Sequence, residues 1–466
     1  MPNFVKSHGI ALLLALLSTL FYVSFAYDLV RSDFIELITL FSALFFLAYK
    51  IIQISKGHFW ILVGIGIVFR LVFIAALPNL SQDFYRFIWD GRLLLQGFNP
   101  YLFAPQEFFN NPNFSFDKLG LTISEAEKLY ADMGELNASH FSNYPPVNQL
   151  FFLIAALFAK NSIFGSVIIL KLIMILADLG ILYFGRKLLA SLHLDPKTIF
   201  WYFLNPFIII ELTGNLHFEG VMLFFVVWSL YLLQKDKWFW AAILLGVSIS
   251  VKLIPILFLP LFYRWFVNKK SFGKRFKKLI LFYLIVAASV FLAFLPFFSS
   301  EFISNYSATL ALWFQDFEFN ASIFYIIRWI GFEIVGWNVI ETAGKILPLI
   351  VVVFVLVLSF FRKNKSPQQL ITAMLFGISF YFLLSTTVHS WYITTPLLLS
   401  VFTKYRFPIV WSFVVMLSYS AYGSEGFSEN LQLVFLEYTV LIGFAMWELF
   451  LKKPRLQKPI PHHQNT

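Results

Sequence analysis

Cysteine is absent from the 466 residues, which excludes disulfides, thiolate-bound zinc and thiol catalysis. Charge is scarce too: Asp, Glu, Lys and Arg make up 13% of the chain, against about a quarter in soluble domains. Acidic residues are missing where basic ones gather. Arg264, Lys269, Lys270, Lys274, Arg275, Lys277 and Lys278 follow one another without an Asp or Glu between them. What fills the space is apolar: 59% of residues are hydrophobic, 60 are Phe, and the mean hydropathy is +0.77. So much apolar surface requires lipid around it. The net charge of +10 does not point to nucleic acid, because its clusters sit just beyond apolar runs, as the positive-inside rule requires. Arg362, Lys363 and Lys365 follow one run, and Lys452, Lys453, Arg455 and Lys458 follow the last.

Apolar runs lie near 9–30, 34–55, 59–78, 145–159, 163–184, 198–213, 219–234, 238–251, 253–267, 279–298, 337–361, 367–384, 386–402, 407–421 and 433–451. The first has no small-residue cleavage site and reads as a retained helix. Run 145–159 is short enough for a half-span, and 238–267 can form one broken helix instead of two. The expectation is an all-α polytopic membrane protein of about 12–13 transmembrane helices with a long first outer loop carrying amphipathic helices. It reads as one membrane-embedded domain over 1–466: helices in 9–78, an acidic outer loop in 79–143, middle helices in 144–298, a second outer loop in 299–336, C-terminal helices in 337–451 and a basic cytoplasmic tail in 452–466. Lys6, Lys50 and Lys56 inside and the Arg31–Asp33 turn outside put both chain ends in the cytoplasm. The loop 79–143 holds eight acidic and four basic residues, a net −4, opposite in sign to the whole chain. Long loops in compact proteins are usually functional.

That loop opens Ser81-Gln82-Asp83-Phe84-Tyr85-Arg86-Phe87-Ile88-Trp89-Asp90-Gly91-Arg92. As a helix it groups Phe84, Phe87, Ile88, Leu94 and Leu95 on one side, suited to lying greasy side down on the membrane. Asp83, Arg86 and Asp90 share another face. Two carboxylates there can deprotonate a sugar hydroxyl or hold a divalent ion such as Mg or Mn; a solvated ion-pair stripe explains them equally. Asn215, His217 and Glu219 cluster between two apolar runs, either capping helices or in use. Lys252 stands amid apolar residues beside Pro255, where a lipid phosphate would satisfy it, unless it snorkels to the nearest interface. His389-Ser390-Trp391-Tyr392 offers either an interfacial aromatic belt or a histidine that contacts phosphate or sugar. Arg70, Lys171 and Asp178, inside spans, read as a buried structural network.

Taken in order, these segments resemble a family. Asp83-x-Tyr85-Arg86-x-x-Trp89-Asp90-Gly91-Arg92 with Gly97-x-Asn99-Pro100-Tyr101 and Ala104-Pro105 resembles the first outer loop of GT-C-fold, polyprenyl-phosphate-sugar-dependent glycosyltransferases. The likeness is to bacterial mannosyltransferases and, more distantly, to glycosylphosphatidylinositol mannosyltransferase I. It continues through Tyr144-Pro145-Pro146, Asp178-Leu179, Asn205-Pro206, Gly214-Asn215-x-His217-x-Glu219, Lys252-x-x-Pro255, Phe319-Asn320-x-Ser322 and His389-x-Trp391-Tyr392.

The resemblance implies transfer of one sugar, mannose, from a polyprenyl-phosphate donor to a lipid-linked or glycan acceptor at the outer face of a bacterial inner membrane. It implies Asp83 as general base, with Asp90 positioning it or the acceptor. Lys252, Arg86 or Arg92 would bind the donor phosphate, and Tyr144, Asn215, His217, Glu219, His389, Trp391 and Tyr392 would line the sugar and acceptor pocket. It leaves a divalent metal open. Two features depart from the pattern: two helices precede the one leading into the Asp83 loop, where the simplest members have one, and Phe218-Glu219 follows His217 where Asn-Asp is common. A transporter or flippase of lipid-linked sugars would use the same groove without chemistry. An oligosaccharide polymerase or ligase would need a long late outer loop, for which 299–336 is a modest candidate.

Overall fold

A computed structural model describes residues 2–55, 57–111, 116–267, 272–315 and 317–452. Lys56, Lys269, Lys270, Lys453, Arg455 and Lys458, used above to orient the chain, lie outside them. The chain is an all-α polytopic membrane protein: its strands among the described residues are the pair Tyr422–Gly423 and Gly426–Phe427.

Seven helices among the described residues are long and apolar enough to cross a bilayer, and Pro206–Gly214 with Glu219–Gln234, bent by 114°, is either a broken eighth span or a re-entrant loop. Five further apolar helices are shorter: Phe59–Val72, Pro146–Ala159, Trp238–Ile249, Ile254–Phe266 and Phe407–Ala421. The apolar runs thus resolve into complete spans and broken pieces, and prolines or polar residues mark the breaks. Run 198–213 becomes short turns around Asn205-Pro206, ending in a π-helical turn Ile209–Gly214. Run 238–267 is broken at 250–253. Run 386–402 is not one helix: 385–389 is non-helical, a 3-10 turn covers Ser390–Ile393, and Thr394–Val401 follows. The interval 299–336 is largely helical, in Ser300–Gln315 and Ile323–Val335.

Helix starts follow side-chain chemistry. Asp33 accepts from the Glu36 amide at 3.0 Å, Ser162 from Gly165 at 3.0 Å, and Ser366 forms a capping box with Gln369 ahead of Pro367. Lipid-facing sides carry bare apolar residues: Leu284 and Leu292 on Phe272–Phe294, Leu349 and Val353 on Ile340–Phe360, and Phe435 on Leu431–Met446 are all exposed. In the centre, charge is paired. Arg70 Nε donates to Asp178 Oδ2 at 2.9 Å, Tyr202 donates to Asp178 Oδ1 at 3.0 Å, and all three are buried. Lys171 Nζ donates to the carbonyls of Phe73 (2.7 Å) and Ala76 (2.6 Å), completing the open C-terminal end of Phe59–Val72. Arg70 and Asp178 thus form the buried structural pair, while Lys171 is buried apart from them on backbone carbonyls.

The helix Asp83–Leu95 does not lie on a membrane surface. Phe84, Phe87, Ile88, Trp89 and Leu93 are buried, packed against Pro146–Ala159 and Ala126–Met133. The rest of the loop closes over it, with Phe108 and Phe116 edge-on to Trp89 at 5.6 and 6.3 Å. Burying the apolar face under the protein's own loop satisfies it as well as lipid would.

Candidate active site

One cavity of about 870 Å³ is lined by Asp83, Tyr144, His217, Lys252, His389, Trp391 and Tyr392. Residues from the first turn of the chain to Phe427 thus meet at a single wall. Its polar end also holds Arg31, Ser81, Asn137 and Tyr422. Its other end is apolar, built by Leu253, Ile254, Leu257, Leu347, Val351 and Val355. Ile256 and Val352 line it too and are about half exposed on the apolar surface. The cavity is therefore a slot joining a hydrophilic chamber to the lipid-facing side.

Asp83 is the first residue of its helix, where the macrodipole favours a carboxylate. Asn137 Nδ2 donates to Asp83 Oδ1 at 3.2 Å. Asp90, by contrast, is fully buried and does not line the cavity. Its oxygens accept from Arg86 Nε (2.8 Å), Ser142 Oγ (2.6 Å) and Gln149 Nε2 (3.0 Å). Arg86 Nη1 in turn donates to the carbonyls of Asn137 (2.7 Å) and His140 (2.9 Å). A chain of contacts thus runs Asp90–Arg86–Asn137–Asp83. Desolvation, aided by the Arg86 cation, pushes His140 down to about 4, so it is neutral at physiological pH.

Arg86 and Arg92, expected at a donor phosphate, are absent from the cavity wall. Arg92 donates to the carbonyls of Ser124 and Asn161. Both guanidinium groups are buried, where they must find partners, and the loop backbone supplies them. Asn215 is also taken up: its Oδ1 accepts from the Leu80 amide at 2.9 Å and its Nδ2 donates to Ile210 O at 3.0 Å. It ties the segment before Asp83 to the π-helical turn.

Lys252 reaches the cavity because the helix stops at Ile249. The broken backbone is satisfied from Pro146–Ala159: Val147 N donates to Ser250 O at 2.9 Å and Asn148 Nδ2 to Val251 O at 2.7 Å. The Lys252 ammonium, 19% exposed, pairs with the fully buried Glu219. Glu219 lies behind Lys252 and is not a lining residue.

His217, Trp391 and His389 form a column of rings. His217 stacks on Trp391 at 3.7 Å and 19°, and His389 on its other face at 4.4 Å and 3°. His389 ends the segment 385–389, which Phe319 pins through Phe319 N to Thr386 O (3.1 Å) and Val388 N to Phe319 O (2.8 Å). His389 Nδ1 and His217 Nε2 are buried without a hydrogen-bond partner, as groups reserved for a ligand would be. Glu211, buried on the π-helical turn, supports the column. It accepts from Ser390 Oγ (2.8 Å) and Tyr419 Oη (2.9 Å), and its Oε2 lies 3.2 Å from His217 Nδ1 without hydrogen-bond alignment.

The sequence reading passed over Glu211, Arg31, Asn137 and Tyr422 as site residues; the first two were the ones that could have been found. Each left a signal: Glu211 is an acid inside the apolar run 198–213, and Arg31 is a cation in an outer turn, against the positive-inside rule. Among the described residues no three His, Asp or Glu side chains converge as a metal site. Asp83 is the one carboxylate on the described wall, alongside the cations Arg31 and Lys252. A Mg ion, which takes one or two carboxylates and completes its shell with water and substrate phosphate, would find Asp83 as its one protein carboxylate on that wall.

The chain is 23% identical over 340 residues to alpha-(1->6)-mannopyranosyltransferase A of Mycobacterium tuberculosis, an overlap covering 69% of this chain and 61% of that protein. The chain thus spans less than two thirds of the length of that curated relative. Residues 34–268, about half of the chain, match the family described as alpha-(1->6)-mannopyranosyltransferase, N-terminal domain. They include Asp83, His217, Glu219 and Lys252, and the chain belongs to that family.

Proposed function

We propose that the chain is a GT-C-type mannosyltransferase that moves one mannose from a polyprenyl-phosphate donor to a lipid-linked or glycan acceptor. The transfer takes place at the outer face of a bacterial inner membrane, with both chain ends in the cytoplasm. The observation that carries this reading is the slot itself: a carboxylate, Asp83, and a cation, Lys252, share a polar chamber that continues into an apolar groove open at Ile256 and Val352. A polyprenyl phosphate has the same two-part chemistry.

Asp83 takes the proton of the acceptor hydroxyl as its oxygen attacks the anomeric carbon. The bond from that carbon to the phosphate oxygen breaks with inversion, and the electron pair leaves on the phosphate. Lys252 faces that phosphate, held in place by Glu219. The column His217–Trp391–His389 supplies ring faces and imidazole nitrogens to the sugar.

The decisive experiment is mannose transfer by purified protein supplied with polyprenyl-phosphate-mannose and a glycolipid acceptor. Asp83→Asn loses about 10²- to 10⁴-fold in rate, the usual contribution of a general base. Undiminished transfer by that variant removes Asp83 as base. Lipid movement across vesicles by a wild type that transfers no sugar replaces the enzyme with a flippase of lipid-linked sugars.

A further inference from the structure

Two cations among the described residues face the cavity, and they are not equivalent. Lys252 is neutralised by Glu219. Arg31 has no carboxylate in ion-pair contact among the described residues, and its Nε is buried without a hydrogen-bond partner. Its guanidinium lies 3.3 Å from the centroid of the Tyr422 ring. Tyr422 also hydrogen-bonds the Arg31 side chain, so the tyrosine positions the guanidinium, which carries five N–H donors in all. Tyr422 is itself placed by the strand pair with Gly426–Phe427, and Tyr422 and Phe427 line the same cavity.

The turn carrying Arg31 is fixed relative to Asp83. Asn79, four residues before Asp83, donates from Nδ2 to Phe25 O (2.8 Å) and Leu29 O (3.2 Å). Asp33 N donates to Val30 O at 2.9 Å, and Asp33 then caps the next helix. Arg31, Asp83, Lys252, His389 and Tyr422 all line the same cavity. Arg31 also precedes the family-matched stretch, which begins at residue 34.

We propose that Arg31 is a catalytic residue that binds the phosphate of the polyprenyl donor and stabilises the charge developing on it. The proposal rests on the transferase reading above. In that reaction the acceptor O–H proton goes to Asp83, the acceptor oxygen bonds to the anomeric carbon, and the carbon–oxygen bond to phosphate breaks. The phosphodiester, with one negative charge, becomes a monoester with two. The added charge needs a cation not already matched, and a planar guanidinium can donate two parallel hydrogen bonds to it. Lys252 with Glu219 forms a neutral pair and supplies a donor without supplying net charge.

The test uses the full-length protein in lipid nanodiscs and measures binding of polyprenyl phosphate and of the uncharged polyprenol of equal chain length. Arg31→Gln weakens polyprenyl-phosphate binding at least tenfold and leaves polyprenol binding within about twofold; Arg31→Lys falls between. In the transfer assay the same variant loses about 10²-fold in kcat, with the acceptor KM little changed. Equal loss for both lipids makes Arg31 a packing residue and overturns the proposal, as does undiminished phosphate binding. Should Arg31→Gln fail to fold, Arg31→Lys carries the comparison, and phosphate binding equal to wild type overturns the proposal. Failure of the wild type to transfer mannose defeats the transferase reading instead, and the binding comparison still decides what Arg31 does.

Discussion

Asp83 is held by Asn137 at the cavity wall and, behind it, by Arg86 and Asp90, which do not line the cavity. The contacts from Asp90 through Arg86 and Asn137 make its orientation depend on a carboxylate at the next two turns of the same helix. Asp90→Asn loses the charge that holds Arg86 and lets Asn137 drift. A misplacement of about 1 Å at a reacting group costs on the order of 10²-fold. The expected result is a kcat lower by about that factor with donor binding kept. A variant with normal kcat would mean that the network serves stability alone. The same logic applies to Glu211, which anchors Ser390 next to the ring column and so acts on the sugar pocket without touching it. His217 and Lys252 were legible as candidates because a polar group among apolar neighbours stands out in a membrane sequence, and Asp83 because it shares a helix face with Asp90 at the start of a long loop. Their partners were not, since Glu219 meets Lys252 and Asn137 meets Asp83 only through folding across 33 and 54 positions.

Helix breaks, more than helices, build the site. The break at 250–253 presents Lys252, the π-helical turn presents Glu211, and the non-helical 385–389 presents His389. Non-helical backbone at membrane depth is tolerated where it lines a cavity or is buried in protein, and all three breaks meet that condition. The helix carrying Asp83 depends on one close approach. A Cβ on Gly91 would stand 2.3 Å from the carbonyl oxygen of Phe152 on the facing helix. Gly91→Ala must push Asp83–Leu95 away from Pro146–Ala159, at about 1–3 kcal/mol. A lower unfolding midpoint in detergent together with reduced transfer is expected; an unchanged midpoint would show that the two helices separate freely. Glycine in the sequence pattern marked that position, but the helix opposite it could not be read from spacing.

The molecule as a whole has one orientation in the bilayer, set by where its basic and acidic segments lie. Sidedness is testable on the natural sequence, since it contains no cysteine. Glu127→Cys in the acidic loop is expected to react with an impermeant maleimide on intact spheroplasts. Asp236→Cys, at a side chain 89% exposed, is expected to react only after lysis. The opposite pattern would invert the chain.

Composition and run length alone determined that this chain is helical and lives in lipid, because hydrophobic thickness and backbone hydrogen bonding constrain short stretches of sequence independently of one another. Local chemistry likewise marked Asp83, His217, Lys252 and His389. Tertiary structure decided which charges are spent and which are open. It matched Arg86 with Asp90 and Lys252 with Glu219, turned Arg92 onto backbone carbonyls, and brought Arg31 to the cavity wall. Burial makes a charge seek whatever partner the fold places beside it, and that neighbour is set by packing between distant segments, which no local pattern encodes.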